Sequence, residues 1–255
     1  MKNFMSMNPC KGIVPTAVAS LLLAGAMSTA QAQSFNQGFD DTTVPADWTL
    51  TNNSTKHATG NPWGVGDAML DADGNPVVTP FDGAGFAIAN YSSIGGTGAG
   101  TISNWLISPE IFGLQNGDTF TFYTTTTPGS EYPDGLELRL SSAGASVNVG
   151  TTTTSTGDFS SVLTTVNSGL AVGGYPESWT QISVTVSGLA APIDGRVAFR
   201  YFVTDGGPGG DNSNIIGVDD FAYTAAAAVP EPSSYALLLA GLVAVGSVAR
   251  RRRAR

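Results

Sequence analysis

The chain has 255 residues, with one histidine, one cysteine, and eleven basic against twenty acidic residues for a formal charge of −9. One histidine excludes a zinc site built on several histidines within the chain, and one cysteine excludes an internal disulfide. The acidic balance argues against a nucleic-acid partner.

The chain opens with Lys2 and Lys11, an apolar run from Ile13 to Met27, and Ala30-Gln31-Ala32. Basic, apolar and small-residue segments in that order make residues 1–32 a secretory signal peptide. Cys10 lies inside it, so the exported domain, 33–228, has no thiol and must draw its stability from packing or from a metal. That domain carries Lys56, Arg139, Arg196 and Arg200 against nineteen acidic residues, a formal −15.

Between Gln33 and Tyr223 helical periodicity is nearly absent. Short β-branched and aromatic runs separated by Gly, Pro, Asn and Asp predict strands near 34–39, 48–51, 86–90, 102–107, 119–127 and 136–141. Four more are predicted near 161–166, 180–186, 196–204 and 216–223. Leu136-Glu137-Leu138-Arg139-Leu140 and Ile182-Ser183-Val184-Thr185-Val186 alternate cleanly, as in sheets with one solvated face. The pattern predicts an all-β, antiparallel jelly-roll sandwich.

A series of segments along the domain resembles the choice-of-anchor J family, related to the cleaved-adhesin jelly rolls. It comprises Phe35-Asn36-Gln37-Gly38-Phe39-Asp40, Pro45-Ala46-Asp47-Trp48, Ser103-Asn104-Trp105-Leu106-Ile107-Ser108-Pro109 and Gly117-Asp118-Thr119-Phe120-Thr121-Phe122. Arg196-Val197-Ala198-Phe199-Arg200-Tyr201 and Ile216-Gly217-Val218-Asp219-Asp220-Phe221 complete it. The resemblance implies a non-catalytic jelly roll on a surface protein.

Asp40-Asp41 follow the first predicted strand and Asp219-Asp220 lie in the last. Terminal strands of a jelly roll are often neighbours, so these four carboxylates are candidate calcium ligands; the resemblance also implies a structural calcium near such positions. The alternative is one aspartate of each pair in solvent and the other capping a turn. Asp71-Ala72-Asp73-Gly74-Asn75 has the opening spacing of an EF-hand, but Asp82 stands where the twelfth-position Glu belongs, and a tight turn is the better reading. His57 lies in a polar loop. Glu110, Glu131, Glu137 and Glu177 are the carboxylates from which a glycosidase pair would be drawn. Trp63, Tyr91, Tyr132 and Tyr175 lie in or beside Gly-, Pro- and Asp-rich loops, where aromatic faces suit sugar rings; ordinary loop packing is the alternative. Trp48 and Trp105 fall within predicted strands and Trp179 directly precedes one; all three read as core. Thr151 to Thr156 is hydroxyl-rich and reads as a β-edge or loop, with O-glycosylation as an alternative.

The C-terminal segment, 229–255, reads Val229-Pro230-Glu231-Pro232, then an uncharged run from Ser233 to Ala249, then Arg250, Arg251, Arg252 and Arg253. The prolines keep the motif extended, the run is close to the length of a spanning helix, and the arginines favour a cytoplasmic end. The three parts in this order resemble the PEP-CTERM sorting signal of Gram-negative bacteria. The resemblance implies export across the inner membrane, transient anchoring there, processing by an exosortase, and delivery to the cell surface of a polysaccharide-making cell. A permanent tail anchor is the alternative.

These observations lead to one expectation, a non-catalytic adhesion or extracellular-matrix component. A calcium-stabilised carbohydrate-binding module for exopolysaccharide is the second reading, and a glycoside hydrolase the third.

Overall fold

The computed structural model describes residues 33–55, 60–71, 73–227 and 232–253. The signal peptide, His57, and Val229, Pro230 and Glu231 of the motif lie outside the described residues.

Among the described residues the domain has fourteen strands: β1 (Phe35–Gln37), β2 (Thr49–Asn52), β3 (Gly64–Gly66), β4 (Met69–Leu70), β5 (Pro76–Val78), β6 (Phe86–Asn90) and β7 (Gly100–Ile107). They continue with β8 (Ile111–Leu114), β9 (Thr119–Thr126), β10 (Leu136–Ser141), β11 (Ser161–Val166), β12 (Thr180–Thr185), β13 (Ile193–Gly206) and β14 (Ile215–Thr224). One sheet runs β12-β9-β14-β6-β3, with β1 also on β14; the other runs β11-β10-β13-β7-β2, with β8 also on β13. Every pairing is antiparallel. The fold is therefore a β-sandwich of two antiparallel sheets.

Alternation explains the layering. Along β9, Phe120 and Phe122 are buried while Thr119, Thr121 and Tyr123 turn partly outward. Phe199 of β13 meets Phe122 edge-on at 4.9 Å and Phe221 at 5.6 Å, tying the two sheets through their inner faces. Burying each such ring contributes roughly 2 kcal/mol. The polar groups sealed in with them are paired: Tyr201 donates to Asp134 and Tyr223 to Asp118, each at 2.6 Å. Burial pushes both phenols well above their usual range.

Each of the ten expected strands has a counterpart. The first ends early, at Gln37, because the chain then turns sharply at Phe39, whose φ is 54°. The unexpected strands β3, β4, β5 and β8 have at most four residues, and Gly or Pro interrupts three of them.

Both outer faces are partly covered. On the first sheet, Met69 and Val78 of the β4–β5 hairpin pack against Phe86, with Trp179 half-buried beside them. The turn of that hairpin is the Asp71–Asn75 segment, where Asp71 Oδ1 accepts the N–H groups of Asp73 and Asn75, as the tight-turn reading expects. On the second sheet, the β10–β11 connection lays Val149 and Phe159 over Trp105. Its threonine run is pinned there, with Thr153 O accepting from Arg200 Nη2 at 2.7 Å.

Helix α1 (Pro232–Arg253) takes the four arginines into its last turn instead of stopping before them. Arginine is a good helix former, and cations suit a helix C-terminus. Among the described residues no helix is long and apolar enough to cross a membrane. The seventeen uncharged residues give about 25 Å of helix, short of a hydrocarbon core of about 30 Å.

Candidate functional site

Three loops meet at one end of the sandwich: the turn Tyr91–Ser93 after β6, the β9–β10 connection, and the β13–β14 connection. They are stitched together by backbone. Tyr91 N–H donates to Asn214 O at 2.8 Å and Ser213 N–H to Pro133 O at 3.0 Å. Asn214 N–H donates to the buried Asp134 Oδ1 at 2.8 Å, and its amide side chain reaches Thr127 and Ser130 at 2.6 and 3.1 Å. Burial holds the Asp134 carboxyl above the usual range, and donors from Tyr201, Asn214 and Thr126 oppose that shift.

Between these loops lies an open cleft of about 580 Å³. Tyr91 and Tyr132, 45% and 53% exposed, stand in its lining. The loop Gly207-Pro208-Gly209-Gly210-Asp211 supplies the rest, with Ser213 and Asn214. The glycines are required: a Cβ on Gly210 would lie 2.1 Å from Asp205 O. Two exposed phenol rings and an exposed carboxylate combine apolar faces with donors and acceptors. That chemistry suits an uncharged polyhydroxylated ligand.

Of the four aromatic candidates, Tyr91 and Tyr132 come together in this cleft. Trp63 and Tyr175 do not, a correction to the sequence reading. Trp63 is 1% exposed and donates from Nε1 to Asn104 O, while Tyr175 is 3% exposed with its hydroxyl 2.6 Å from Thr124 Oγ1. Each ring completes the core beneath a loop, and its polar tip is satisfied there. The Gly-Gly-Pro-Gly-Gly-Asp run between the last two strands was visible in the sequence, but its closeness to Tyr91 and Tyr132 depends on long-range pairing.

Among the described residues the four aspartates do not gather into one cluster. β1 does pair with β14, as the jelly-roll reading required. Yet Asp219 is fully buried and accepts N–H groups from Phe81, Asp82 and Asp220, whereas Asp40 accepts from Ala84 and Asp41 is exposed. Asp220 sits at φ 48°, in the bulge where β14 shifts register. Burial lifts the Asp219 carboxyl to about 6, against the pull of those backbone donors. Among the described residues no three His, Cys, Asp or Glu side chains gather as a cation cage. The Asp219 and Asp40 carboxylates are turned to backbone amides in this arrangement.

The glutamates go to other duties. Glu137 lies between Arg139 and Arg200 at 2.6 and 3.1 Å, and Arg200 also rests on the Phe202 ring at 3.9 Å. Glu177 accepts Gly129 N–H at 3.0 Å.

Comparison with known proteins agrees with this architecture. Residues 228–253 match the PEP-CTERM protein-sorting motif. The K1 cleaved adhesin domain of Lys-gingipain from Porphyromonas gingivalis superposes with a TM-score of 0.51 at 20% identity, covering 76% of this chain and 99% of that one. The K3 cleaved adhesin domain of the same protein gives 0.49 at 22% identity, over 76% and 98%. The CBM22-1 xylan-binding domain of Paenibacillus barcinonensis Xyn10C gives 0.44 at 11% identity, over 79% and 100%. No curated protein matches the chain. The chain thus carries a PEP-CTERM protein-sorting motif behind a β-sandwich similar in fold to a cleaved adhesin domain.

Proposed function

We propose that this is an exported, non-catalytic component of the cell surface or extracellular matrix, released to its place by exosortase processing at the C-terminal motif. Its sandwich holds neutral polysaccharide through the cleft of Tyr91 and Tyr132. The observation that carries this reading is that two exposed tyrosines, distant in sequence, share one open cleft with the carboxylate of Asp211. The domain's formal −15 favours neutral over anionic chains. The sorting motif supports the surface destination. Calcium has no part in this reading.

The test is affinity electrophoresis of the chain through gels cast with the producing cell's exopolysaccharide. Retardation that soluble sugar relieves, and that Tyr91→Ala and Tyr132→Ala each weaken, is the expected result. Unchanged mobility of the wild-type chain would end the glycan reading and leave protein partners as the search.

A further inference from the structure

β12 is an edge strand without the usual protection. It pairs with β9 alone, over six consecutive positions from Thr180↔Thr124 to Thr185↔Thr119, with no bulge. Natural edges are blunted by lysine, proline or a bulge because a bare edge is a template for another strand. β12 has none of these. In a strongly acidic domain, the sixteen residues from Ser178 to Ile193 carry no charge at all. Gln181, Ser183 and Thr185 are exposed, while Ile182 and Val184 reach the core from its rim and stay half-buried.

The ladder also fixes which amides face outward. Val186 donates its N–H to Asp118 O at 2.7 Å, continuing the β12–β9 register by one residue. Bonded positions alternate in an antiparallel ladder, so Ile182 and Val184 turn their amides to β9, and Gln181, Ser183 and Thr185 turn theirs to the free edge. Among the described residues, none of those three amides makes a backbone bond outside the sheet.

We infer that β12 is the docking edge for β12 of a second copy of this chain, antiparallel about a twofold axis through Ser183. In that register Ser183 meets Ser183 and Gln181 meets Thr185, all three positions with outward amides. Ile182 then lies opposite Val184 on the core side in both halves, so the apolar rim residues cover one another. A twofold axis at Ile182 would instead set Val184 against Thr180 and leave that cover incomplete. Charge permits this pairing, since two acidic domains repel over most of their surface and this strip is uncharged; β11, the other long edge among the described residues, also lies in an uncharged run, but its ladder with β10 is broken by a register shift. The pairing joins the two sandwiches through one continuous sheet, independently of the cleft.

The test is register-specific cross-linking of the full chain in a Cys10→Ser background. Opposed residues of a hydrogen-bonded pair are about 5.5 Å apart at Cα, within disulfide range. S183C is expected to cross-link under mild oxidant at least tenfold faster than V172C, which sits at a 65% exposed position elsewhere. Q181C mixed with T185C is expected to cross-link faster than either alone. In sedimentation velocity, wild type is expected to form a concentration-dependent dimer that S183K abolishes with unchanged circular dichroism. If S183K fails to fold, the cross-linking decides. Equal rates for S183C and V172C, or a dimer that persists in folded S183K, would overturn the inference.

Discussion

Asp219 and Asp40 grip one loop from two sides. Asp219 Oδ2 accepts the N–H groups of Phe81 and Asp82 at 2.9 and 3.3 Å, and Asp40 Oδ1 accepts that of Ala84 at 2.7 Å. Gly83 lies between those contacts at φ 66°, where a Cβ would fall 1.8 Å from Asp40 Oδ1. The loop in turn lays Phe81 flat on Tyr123, ring centroids 3.6 Å apart. The residues nominated for a cation act together, but on backbone amides.

This grip makes stability depend on pH. Burial raises the Asp219 carboxyl from 3.8 to about 6, so the folded chain binds its proton more tightly than the unfolded one. The contribution of this group is therefore fully present below pH 4 and is lost as pH rises through about 6. The buried Asp134, also raised, acts in the same direction. Asp219→Asn keeps an acceptor for the loop but removes the titration. Melting midpoints between pH 4 and 7 should fall less steeply for D219N than for wild type; parallel curves would contradict the assignment.

The cleft tyrosines should matter for binding and little for folding. Tyr91→Ala or Tyr132→Ala each removes one stacking face, about 1.4 kcal/mol or tenfold in affinity for the polysaccharide. Their exposure keeps the stability change to roughly 0.5 kcal/mol. Gly210→Ala should instead destabilise by about 1 to 3 kcal/mol, since its Cβ has no space. Gel retardation and thermal melts of the same three variants separate the two effects.

Calcium should leave the melting midpoint unchanged. The Asp219 carboxylate is already occupied by three amide hydrogens, and Asp40 by one. Scans of the chain in millimolar Ca²⁺ and in EDTA should superimpose. A calcium-dependent rise of several degrees would reinstate a metal site at these aspartates.

Glu137 should be costly to remove. It is the carboxylate partner of both Arg139 and Arg200, and the Arg200 side chain is only 2% exposed. Glu137→Ala leaves two inward cations uncompensated, and about 3 kcal/mol of destabilisation is expected by urea unfolding. Replacing the exposed Glu131 should change little by comparison.

Local periodicity made the ten main strands legible, because Phe120, Phe122, Leu136, Leu138 and Leu140 each fall on the buried face that alternation assigns them. It could not reveal β3 or β5, whose Gly and Pro residues read as turns until tertiary pairing holds them extended. Trp63 and Tyr175 show the limit for sites. A loop position in sequence does not tell a ring that lines a cleft from one that plugs the core, since both need the same flanking turns. Tyr91 and Tyr132 were legible as residue types, but their meeting across the β13–β14 loop depends on contacts more than forty positions apart. The aspartates were misleading for a related reason. The bulge at Asp220 turns its neighbour Asp219 inward to a loop 137 residues earlier in the chain.

The position of β14 decides how the domain would respond to a pull on its C-terminal end. The segment leading to the sorting motif leaves the domain from β14, a strand that lies in mid-sheet and is laddered to β9, β6 and β1. Ala225 N–H, just beyond it, is also bound to Ser34 Oγ at the start of the domain. Tension on a C-terminal tether, pulling along the strand, shears three ladders together. It does not peel an edge one bond at a time. A domain held in flow by this end would take the load on a mid-sheet strand, with the β12 edge separated from it by β9.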